Sequence, residues 1–447
     1  MSTSSFPDSP QAPLLQRSLA SVWHPCTQMK THERLPLVPI VRGEGPWLID
    51  DQGRRYLDGV SSWWVNLFGH CHPHINARIV EQLGRLEHVM LAGFTHEPVV
   101  QLSEKLAALT GHALGHAFYA SDGASATEIA LKMSVHYWRN SGQAGKTRFL
   151  CLEGSYHGET VGALAVTDIA LFREAYAPLV RFADTVPSPD ARNAMQGESA
   201  RDVALRAAAA LEQVLAERHH EIAAFIVEPL VQCATGMAMH DPEYLRRARA
   251  LCDRYGVHLI ADEIAVGCGR TGSFFACEQA GIWPDFLCLS KGISGGYLPL
   301  SLVLSTGAVF DAFYDDEAAR GFLHSHSYTG NPLACTAALA TLELFEQGDV
   351  IAANKMLAEK LLAAAQPIAA HPRVTNLRQR GMVLAFDVVD APAGFARSYF
   401  QAAMEQGLLL RPIGNTVYWM PPYVLDDAAV AHLASASLTA LEHALRA

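Results

Sequence analysis

Two ionisable residues each follow a short apolar run in the segment 257–296. Residues 257–261 and Phe286–Leu289 have the length and the β-branched or aromatic content of buried strands, and the residues after them include Asp262 and Lys291. An unpaired charge near a core is costly to desolvate, so a charge at such a position favours a function. Ligands of open α/β sheets bind at the carboxyl ends of strands. We therefore expect Asp262 and Lys291 to converge on one ligand.

The chemistry of this pair fits pyridoxal 5′-phosphate (PLP). A lysine in a partly desolvated pocket can lose its proton and attack a carbonyl, which gives a Schiff base. A nearby carboxylate can hold the protonated ring nitrogen through which PLP acts as an electron sink. A buried salt bridge between Asp262 and Lys291 is the alternative that these two residues leave open.

A second candidate site is the turn that follows the strand predicted at His116–Ala120. The small residues Gly123 and Ala124 would let a phosphate group reach exposed backbone N–H groups, and the dipole of the next helix favours an anion. Ser125 and Glu128 have the spacing of a capping box, so an ordinary well-capped helix is the alternative.

The segment from Asp262 to Gly292 resembles the signature of class III aminotransferases, which are PLP enzymes of fold type I. It contains, in order, Asp262-Glu263, Gly267, Gly269-Arg270-Thr271-Gly272 and Ser290-Lys291-Gly292. The resemblance implies that Lys291 binds PLP covalently and acts as general base and acid. It also implies that Asp262 contacts the ring nitrogen and that Gly123 and Ala124 hold the phosphate.

The same resemblance assigns roles to residues that follow two other strands and to Arg270. Tyr156, in Gly154-Ser155-Tyr156-His157-Gly158, is expected to stack on the cofactor ring or to face the substrate, and His157 to support it. Glu228 matches the family's Glu-Pro element beside the cofactor, and Arg270 is expected to line the substrate pocket.

A homodimer is implied by the segment 324–332, which resembles the part of the family that reaches across the subunit interface. His326 and Ser327 are then expected to contact the PLP phosphate of the neighbouring subunit, and Ser325 to contact substrate. Ser327 stands where the family has threonine and keeps the hydroxyl group. A polar loop before a helix that starts with proline is the alternative.

Four further elements narrow the resemblance to the branch of the family that serves biotin synthesis. That branch transfers an amino group from S-adenosylmethionine to 8-amino-7-oxononanoate, and the elements are WHP at 23–25, SSWW at 61–64, LLRP at 409–412 and MPPY at 420–423. Trp63 and Trp64 suit a long apolar substrate or a flat adenine. Arg411 offers a bidentate clamp for a carboxylate. Cys26 stands where the branch commonly has tyrosine, which leaves the amino donor open, lysine included.

Other functions remain as alternatives. Another class III aminotransferase, acting on ornithine, 4-aminobutyrate or another ω-amine, would share Lys291 and Asp262. A catalytically silent PLP-binding protein would also keep the lysine. A dehydrogenase is disfavoured because residues 267–272, GCGRTG, do not open a predicted helix, as a dinucleotide-binding turn would. The histidines at 70, 72 and 74 are too close in sequence to converge on a metal, so no metal is expected.

Composition limits the partners and the compartment. The net charge of −11, from 34 basic and 45 acidic residues, and the lack of a basic stripe disfavour nucleic acid. The sequence has no run of about eighteen apolar residues and no secretory signal, so we expect neither membrane insertion nor export. Residues 1–13 are expected to form a loose tail. Nine scattered cysteines without a CxxC pair favour a reduced, cytoplasmic setting.

Alternation of strands and helices predicts an α/β fold with a mainly parallel sheet covered on both faces. The predicted large, PLP-binding domain spans 69–330, and a smaller α+β domain combines 1–68 with 331–447. Predicted strands are residues 116–120, 148–152, 223–227, 257–261, 286–289, 300–305, 382–388 and 417–420, with a hairpin of 47–50 and 54–57 about Gly53. Predicted helices are residues 73–88, 125–138, 201–218, 244–255, 333–346, 351–370 and 396–406.

Overall fold

The structure, a computed structural model, describes residues 13–446 of the 447-residue chain. The tail predicted for residues 1–13 therefore lies, apart from Pro13, outside the described residues. Across 13–446 no helix is both long enough and apolar enough to cross a membrane.

A seven-stranded sheet forms the centre of the molecule. Its strands lie in the order His116–Ala120, Ser301–Ser305, Phe286–Leu289, His258–Asp262, Ile222–Val227, Arg148–Leu152 and Asp184–Val186. Ser301–Ser305 runs antiparallel to both of its neighbours, and the other pairs are parallel. The predicted α/β class and mainly parallel sheet are confirmed.

Both faces of this sheet are covered by helices, which explains why its strands Ile222–Val227 and Phe286–Leu289 are apolar throughout. Alternate residues of Ile222–Val227 enter different cores. Phe225 and Val227 pack in the core that contains residues of Ala200–Arg218 and Glu243–Tyr255. Ala224 and Ile226 pack with residues of Gly123–Asn140 on the opposite face.

The two ends of the chain meet in smaller sheets. Leu408–Leu409 joins the strands Ile40–Glu44, Trp47–Asp50 and Arg55–Asp58, pairing parallel to the last of them. A three-stranded antiparallel sheet contains Val374–Arg380, Val383–Val388 and Thr416–Trp419. This arrangement is the smaller α+β unit expected from both chain ends, whereas the predicted domain boundaries stay predictions.

Ten helices of eight or more residues lie between 13 and 446. They are Leu14–Ser21, Pro73–Leu83, Glu97–Leu109, Gly123–Asn140, Ala200–Arg218, Glu243–Tyr255, Pro332–Gln347, Val350–Ala364, Phe395–Glu405 and Asp427–Arg446. The sequence analysis did not identify Glu97–Leu109, Asp427–Arg446 or the strand Val374–Arg380. The helix predicted at 73–88 ends at Leu83, and the one predicted at 351–370 divides after Ala364.

The helix that follows the strand His116–Ala120 begins at Gly123 rather than at Ser125. Asp122 caps it, because its side chain accepts a hydrogen bond from the Ser125 N–H group at 3.0 Å. The capping box predicted for Ser125 and Glu128 is therefore wrong. Glu128 instead accepts hydrogen bonds from the Gly162 N–H group and from a threonine hydroxyl outside the helix.

Candidate active site

Lys291 and Asp262 lie at the same edge of the central sheet. Asp262 is the last residue of His258–Asp262, which pairs parallel with Phe286–Leu289, and Lys291 follows that second strand by two residues. The φ angle of Lys291 is 48°, a left-handed conformation that residues with a Cβ atom rarely adopt. Such backbone strain is typical of functional sites, where the surrounding structure holds it.

The amine of Lys291 is buried, and burial makes it a weaker base. Burial lowers its pKa, against the opposing effect of nearby Asp262, Cys233 and Glu228. Within residues 13–446, no carboxylate forms an ion pair with Lys291, so the salt-bridge alternative is not what the structure contains. The Nζ atom lies 5.1 Å from the centroid of the Trp64 ring.

Asp262 is held by two hydrogen bonds that orient its carboxylate. The His157 Nδ1 atom lies 2.7 Å from Asp262 Oδ2, and the Ile264 N–H group donates to Oδ1 at 3.1 Å. Because a carboxylate only accepts, His157 carries its proton on Nδ1. His157 Nε2 is buried and has no hydrogen-bond partner among the described residues. His157 thus supports Asp262 from behind, in line with the supporting role expected for it.

Glu228 lies behind the aromatic residue of the site. Its carboxylate accepts hydrogen bonds from the N–H groups of Tyr156, at 3.1 Å, and Cys233, at 3.0 Å. Burial raises the pKa of Glu228 to about 7. These contacts fix the backbone of Tyr156 and give Glu228 no direct access to a substrate.

Tyr156 is half-buried and has a partner that the sequence analysis did not identify. Its hydroxyl donates to Glu159 Oε1 at 2.8 Å, and its ring lies 5.4 Å from that of Phe172. Burial, together with the hydrogen bond to Glu159, raises the pKa of the Tyr156 hydroxyl. Glu159 is only three residues away, but nothing in its sequence context distinguishes it from a surface carboxylate.

The turn at Gly123 and Ala124 offers free backbone donors. Their N–H groups are the first two of a helix and therefore have no acceptor within it. A Cβ atom at Gly123 would lie 3.0 Å from Ile264 Cγ2, and one at Gly158 would lie 2.5 Å from Ala124 Cβ. These close approaches press the turn against the strand ends that carry Asp262 and His157.

The residues of this sheet edge fit PLP. The cofactor needs an amine for its aldehyde, a carboxylate for its ring nitrogen and N–H donors for its phosphate. Lys291, Asp262, and the pair Gly123 and Ala124 offer these groups, and the lysine amine and the two N–H groups lack partners of their own. Tyr156 supplies an aromatic ring beside them.

Each of the paired tryptophans lies near one polar group, Trp64 near Lys291 at the sheet edge and Trp63 near Arg411. Trp64 is 6% exposed and donates from Nε1 to the Tyr418 hydroxyl at 3.1 Å. Trp63 is 46% exposed, and the guanidinium carbon of Arg411 lies 5.0 Å from its ring centroid. Arg411 forms no ion pair with any described residue, so its guanidinium is available to a ligand.

Arg270 binds backbone carbonyl groups through both terminal nitrogens of its guanidinium, while its buried Nε has no partner among the described residues. It is buried, and it donates to the carbonyl oxygens of Pro421 at 2.7 Å, Asn66 at 2.8 Å and Trp64 at 3.4 Å. A direct contact between Arg270 and substrate remains a prediction. The observed bonds favour a role in bracing the chain on either side of the tryptophans.

The segment that includes Ser325, His326 and Ser327 lies beside the turn that precedes Gly123 in its own chain. The Nε2 atom of His326 is 3.3 Å from the Ser121 hydroxyl, whereas Ser325 and Ser327 are exposed. A contact across a subunit interface remains a prediction.

The clustered histidines point in different directions. His70 contacts Asp58 at 3.0 Å, and His74 contacts Glu343 at 2.7 Å. Among the residues described, no three His, Cys, Asp or Glu side chains are grouped to hold a metal ion.

Comparisons with known proteins identify relatives over nearly the whole chain. The family described as "Aminotransferase class-III" matches residues 28–445. A Helicobacter pylori protein named adenosylmethionine-8-amino-7-oxononanoate aminotransferase is 45% identical over 427 residues, which are 94% of this chain and 95% of that protein.

Two solved structures have the same fold. The adenosylmethionine-8-amino-7-oxononanoate aminotransferase of Methanocaldococcus jannaschii has a TM-score of 0.90 and 32% identity, covering 96% of this chain and 99% of that one. An amine transaminase of an uncultivated Pseudomonas species, solved in the PLP-bound form, also has a TM-score of 0.90 and 32% identity, covering 95% and 99%.

Proposed function

The chain belongs to the class III aminotransferase family, and on that premise we propose that it transfers the amino group of S-adenosylmethionine to 8-amino-7-oxononanoate. The product is 7,8-diaminononanoate, in biotin synthesis. The enzyme is a PLP-dependent aminotransferase. Its nine cysteines are all free, which supports a cytoplasmic setting.

One observation carries the proposal: the two polar groups of the pocket each lie against one ring of the tryptophan pair. Lys291 is 5.1 Å from Trp64, and Arg411 is 5.0 Å from Trp63. A substrate with an amine or ketone at one end and a carboxylate at the other, joined by an apolar chain, suits this order of groups. The name of the Helicobacter relative describes such an acceptor.

Lys291 performs the proton transfers. PLP, when bound, supplies the electron sink that stabilises the substrate carbon once it has lost its proton. Because burial lowers the pKa of Lys291, its amine can take that proton and return it on the other side of the transfer. Asp262 holds a proton on the ring nitrogen, and His157 keeps the Asp262 carboxylate in place.

Substrate recognition is assigned to the two tryptophans and to Arg411, which together are called the substrate wall. Trp63 and Trp64 bind the apolar chain or the adenine ring, and Arg411 binds the carboxylate through paired N–H groups. Tyr156 closes the pocket beside the cofactor. Ser325 lies at the exposed margin, where it can contact a substrate that extends out of the pocket.

A homodimer completes the site in this proposal. Ser327 and His326 then contact the phosphate in the partner subunit. An exposed apolar surface next to them supports a second copy of the chain as its cover. That surface, called the rim surface below, contains Met90, Phe94, Leu323 and Tyr328, all more than half exposed. Its two segments are connected, since the His88 ring lies 5.0 Å from that of Tyr328.

A second candidate is an aminotransferase for simple ω-amines. The amine transaminase from Pseudomonas matches this chain as closely in fold and identity as the Methanocaldococcus enzyme does. Cys26, which is exposed, also removes the tyrosine hydroxyl common in the biotin branch.

A half-reaction assay tests the proposal. The yellow holoenzyme is mixed with S-adenosylmethionine, lysine or a simple ω-amine, and loss of the yellow absorbance is followed. 8-Amino-7-oxononanoate is then added and 7,8-diaminononanoate is measured by mass spectrometry. We expect discharge by S-adenosylmethionine followed by product. If only lysine removes the yellow absorbance, lysine replaces S-adenosylmethionine as the proposed amino donor. If only the ω-amine removes it and no product forms, the second candidate is established.

A further inference from the structure

The segment Ser61–Trp64 forms a left-handed helical turn that contains no glycine. Its four φ angles are 51°, 46°, 73° and 72°, and the ψ angles of the middle two are 53° and 44°. Helical hydrogen bonds close it, because the Trp64 N–H group donates to Val60 O at 2.8 Å and the Val65 N–H group to Ser61 O at 2.9 Å. These values are those of an ideal left-handed α-helix.

The backbone hydrogen bonds of such a turn do not stabilise it on their own. In a left-handed helix the Cβ atom of every residue approaches the following carbonyl oxygen, so only glycine adopts this conformation freely. A turn of two serines and two tryptophans must therefore be held by contacts outside its own backbone.

The Ser61 hydroxyl donates to Met420 O at 2.7 Å and Trp64 Nε1 to the Tyr418 hydroxyl at 3.1 Å, and Asp58 supplies the contacts to Ser62. The Asp58 side chain is fully buried, and both of its oxygens accept from Ser62. Oδ1 accepts from the Ser62 N–H group at 2.8 Å, and Oδ2 accepts from the Ser62 hydroxyl at 2.6 Å. The His70 Nε2 atom, beyond the turn, lies 3.0 Å from the same Oδ2.

The position of Asp58 is itself fixed. It ends the strand Arg55–Asp58, and its backbone is opposite Leu409 in the parallel pair that joins the two chain ends. Arg411 follows Leu409 by two residues. The carboxylate therefore connects the tryptophan turn to the strand pair that leads to Arg411.

The turn decides where the indole rings point. Neighbouring side chains of an extended strand point to opposite faces, whereas those of a helical turn are about 100° apart. Trp64 can then face Lys291 while Trp63 faces Arg411, at 5.1 and 5.0 Å. If the turn relaxed to negative φ angles, one of the two rings would leave the pocket.

We propose that Asp58 is a positioning residue for substrate, acting through the left-handed turn that it holds. Loss of the carboxylate releases the turn and separates the two indole rings. The proposal rests on the proposed function for the assignment of Trp63 and Trp64 to the substrate wall, while the effect on the turn itself does not.

The test compares the wild-type holoenzyme with Asp58→Ala and with Asp58→Ala combined with Ser62→Gly. We expect Asp58→Ala to raise KM for 8-amino-7-oxononanoate at least about tenfold with a much smaller change in kcat, since the wall is displaced and the Lys291 site is not. Glycine adopts a positive φ freely, so the double variant should recover most of the KM. Asp51→Ala, an exposed carboxylate of the neighbouring hairpin, is the matched control and should leave KM unchanged.

Near-UV circular dichroism of the same proteins reports the tryptophan environment without substrate. We expect a changed signal in Asp58→Ala and its recovery in the double variant. An unchanged KM in folded Asp58→Ala, or a double variant that does not recover, would overturn the proposal. If the spectral change and its recovery occur but the donor assay fails, the proposed function is wrong and the role of Asp58 in the turn stands.

A second pair of variants decides the matter if Asp58→Ala does not fold. Ser62→Ala and Ser62→Gly both lose the hydroxyl bond to Asp58, and they differ only in the Cβ atom. We expect a higher KM for Ser62→Ala than for Ser62→Gly, because only alanine resists the positive φ. Equal KM values would overturn the proposal.

Discussion

At the scale of residues, the site depends on two buried ionisable groups whose surroundings differ. No described residue forms an ion pair with Lys291, and burial lowers its pKa. Each carboxylate oxygen of Asp262 lies within hydrogen-bond distance of a nitrogen, the His157 Nδ1 atom or the Ile264 N–H group. An amine of lowered pKa and an oriented carboxylate at one sheet edge are the groups that proton transfer beside a protonated ring nitrogen requires.

Replacing Asp262 by asparagine tests the carboxylate. An opposite charge close by raises the pKa of a ring nitrogen by about 1–3 units, so its removal should lower the protonated fraction and kcat by about 10–10³-fold at neutral pH. Because the nitrogen of the variant is protonated only at lower pH, its kcat should rise as the pH falls. PLP absorbance should show that the cofactor stays bound. Wild-type kcat at neutral pH would assign the carboxylate another task.

Sequence reasoning identified the residues that follow strands, His157 and Glu228 among them, but not Asp58, which acts from behind the tryptophans. Lys291 and Asp262 were predictable because a charge after an apolar strand is unusual. The left-handed turn was not, because positive φ angles are normally signalled by glycine, and Ser61-Ser62-Trp63-Trp64 has none. Each such residue costs about 1–2 kcal/mol, which the bonds to Asp58 and the other contacts of the turn must offset. That carboxylate is four residues from the serine it holds, at the end of a different element.

At the scale of elements, buried strand residues tie the sheet edge to its covering helices. His258, on the strand that ends at Asp262, lies 2.9 Å from the Ser134 hydroxyl of the helix that begins at Gly123. Its ring stacks on Trp138 with centroids 4.6 Å apart. The imidazole of His258, which is uncharged, therefore joins the strand that ends at Asp262 to the helix that begins at Gly123. The parallel arrangement of these elements was predictable from the alternation of strands and helices along the chain. The contact of His258 with Ser134 was not, because the residues around a buried histidine do not indicate its partner.

Acid should loosen this contact in a defined range. Burial lowers the pKa of His258 to about 4, below the ordinary 6.5, with Asp285 opposing and Arg249 and Lys146 adding to the shift. Between pH 6.5 and 4 the unfolded chain binds a proton that the folded protein does not. The free energy of unfolding should therefore fall by about 3 kcal/mol from this group as the pH falls through that range.

The variant His258→Phe measures this contribution. Phenylalanine preserves the ring packing, and Ser134 still has the carbonyl oxygen of Ala223 as acceptor at 3.2 Å. Urea unfolding between pH 7 and 4 should show a shallower loss of stability than in the wild type. The exposed His220, changed to glutamine, is the control and should reproduce the wild-type slope. An equally steep loss in His258→Phe would mean that His258 titrates normally.

At the scale of the whole molecule, the chain folds its two ends together and leaves the rim surface uncovered. The parallel pairing of Leu408–Leu409 with Arg55–Asp58 was out of reach of sequence patterns, because so short a strand has no periodicity. The rim surface combines apolar side chains that an isolated chain would expose to water, next to the segment with Ser327. A second copy of the chain on this surface explains both features.

A charged and a polar side chain placed on the rim surface should separate the subunits. We expect the wild type to have the mass of a dimer by light scattering, and Leu323→Glu with Tyr328→Ser to have that of a monomer. The separated chain should also retain PLP less well on dilution, because Ser327 of the partner is lost. Met356→Glu, on an exposed apolar residue of the helix Val350–Ala364, should stay dimeric. A wild-type monomer that retains PLP would contradict the shared site.

The central claim is that one lysine at a sheet edge binds the cofactor, and its most direct test is chemical. The yellow holoenzyme is reduced with borohydride, digested and sequenced by mass spectrometry. We predict that the added mass of reduced PLP lies on Lys291 alone and is absent from Lys291→Ala treated in the same way. Added mass on another lysine, or a protein that gains none, would contradict the account.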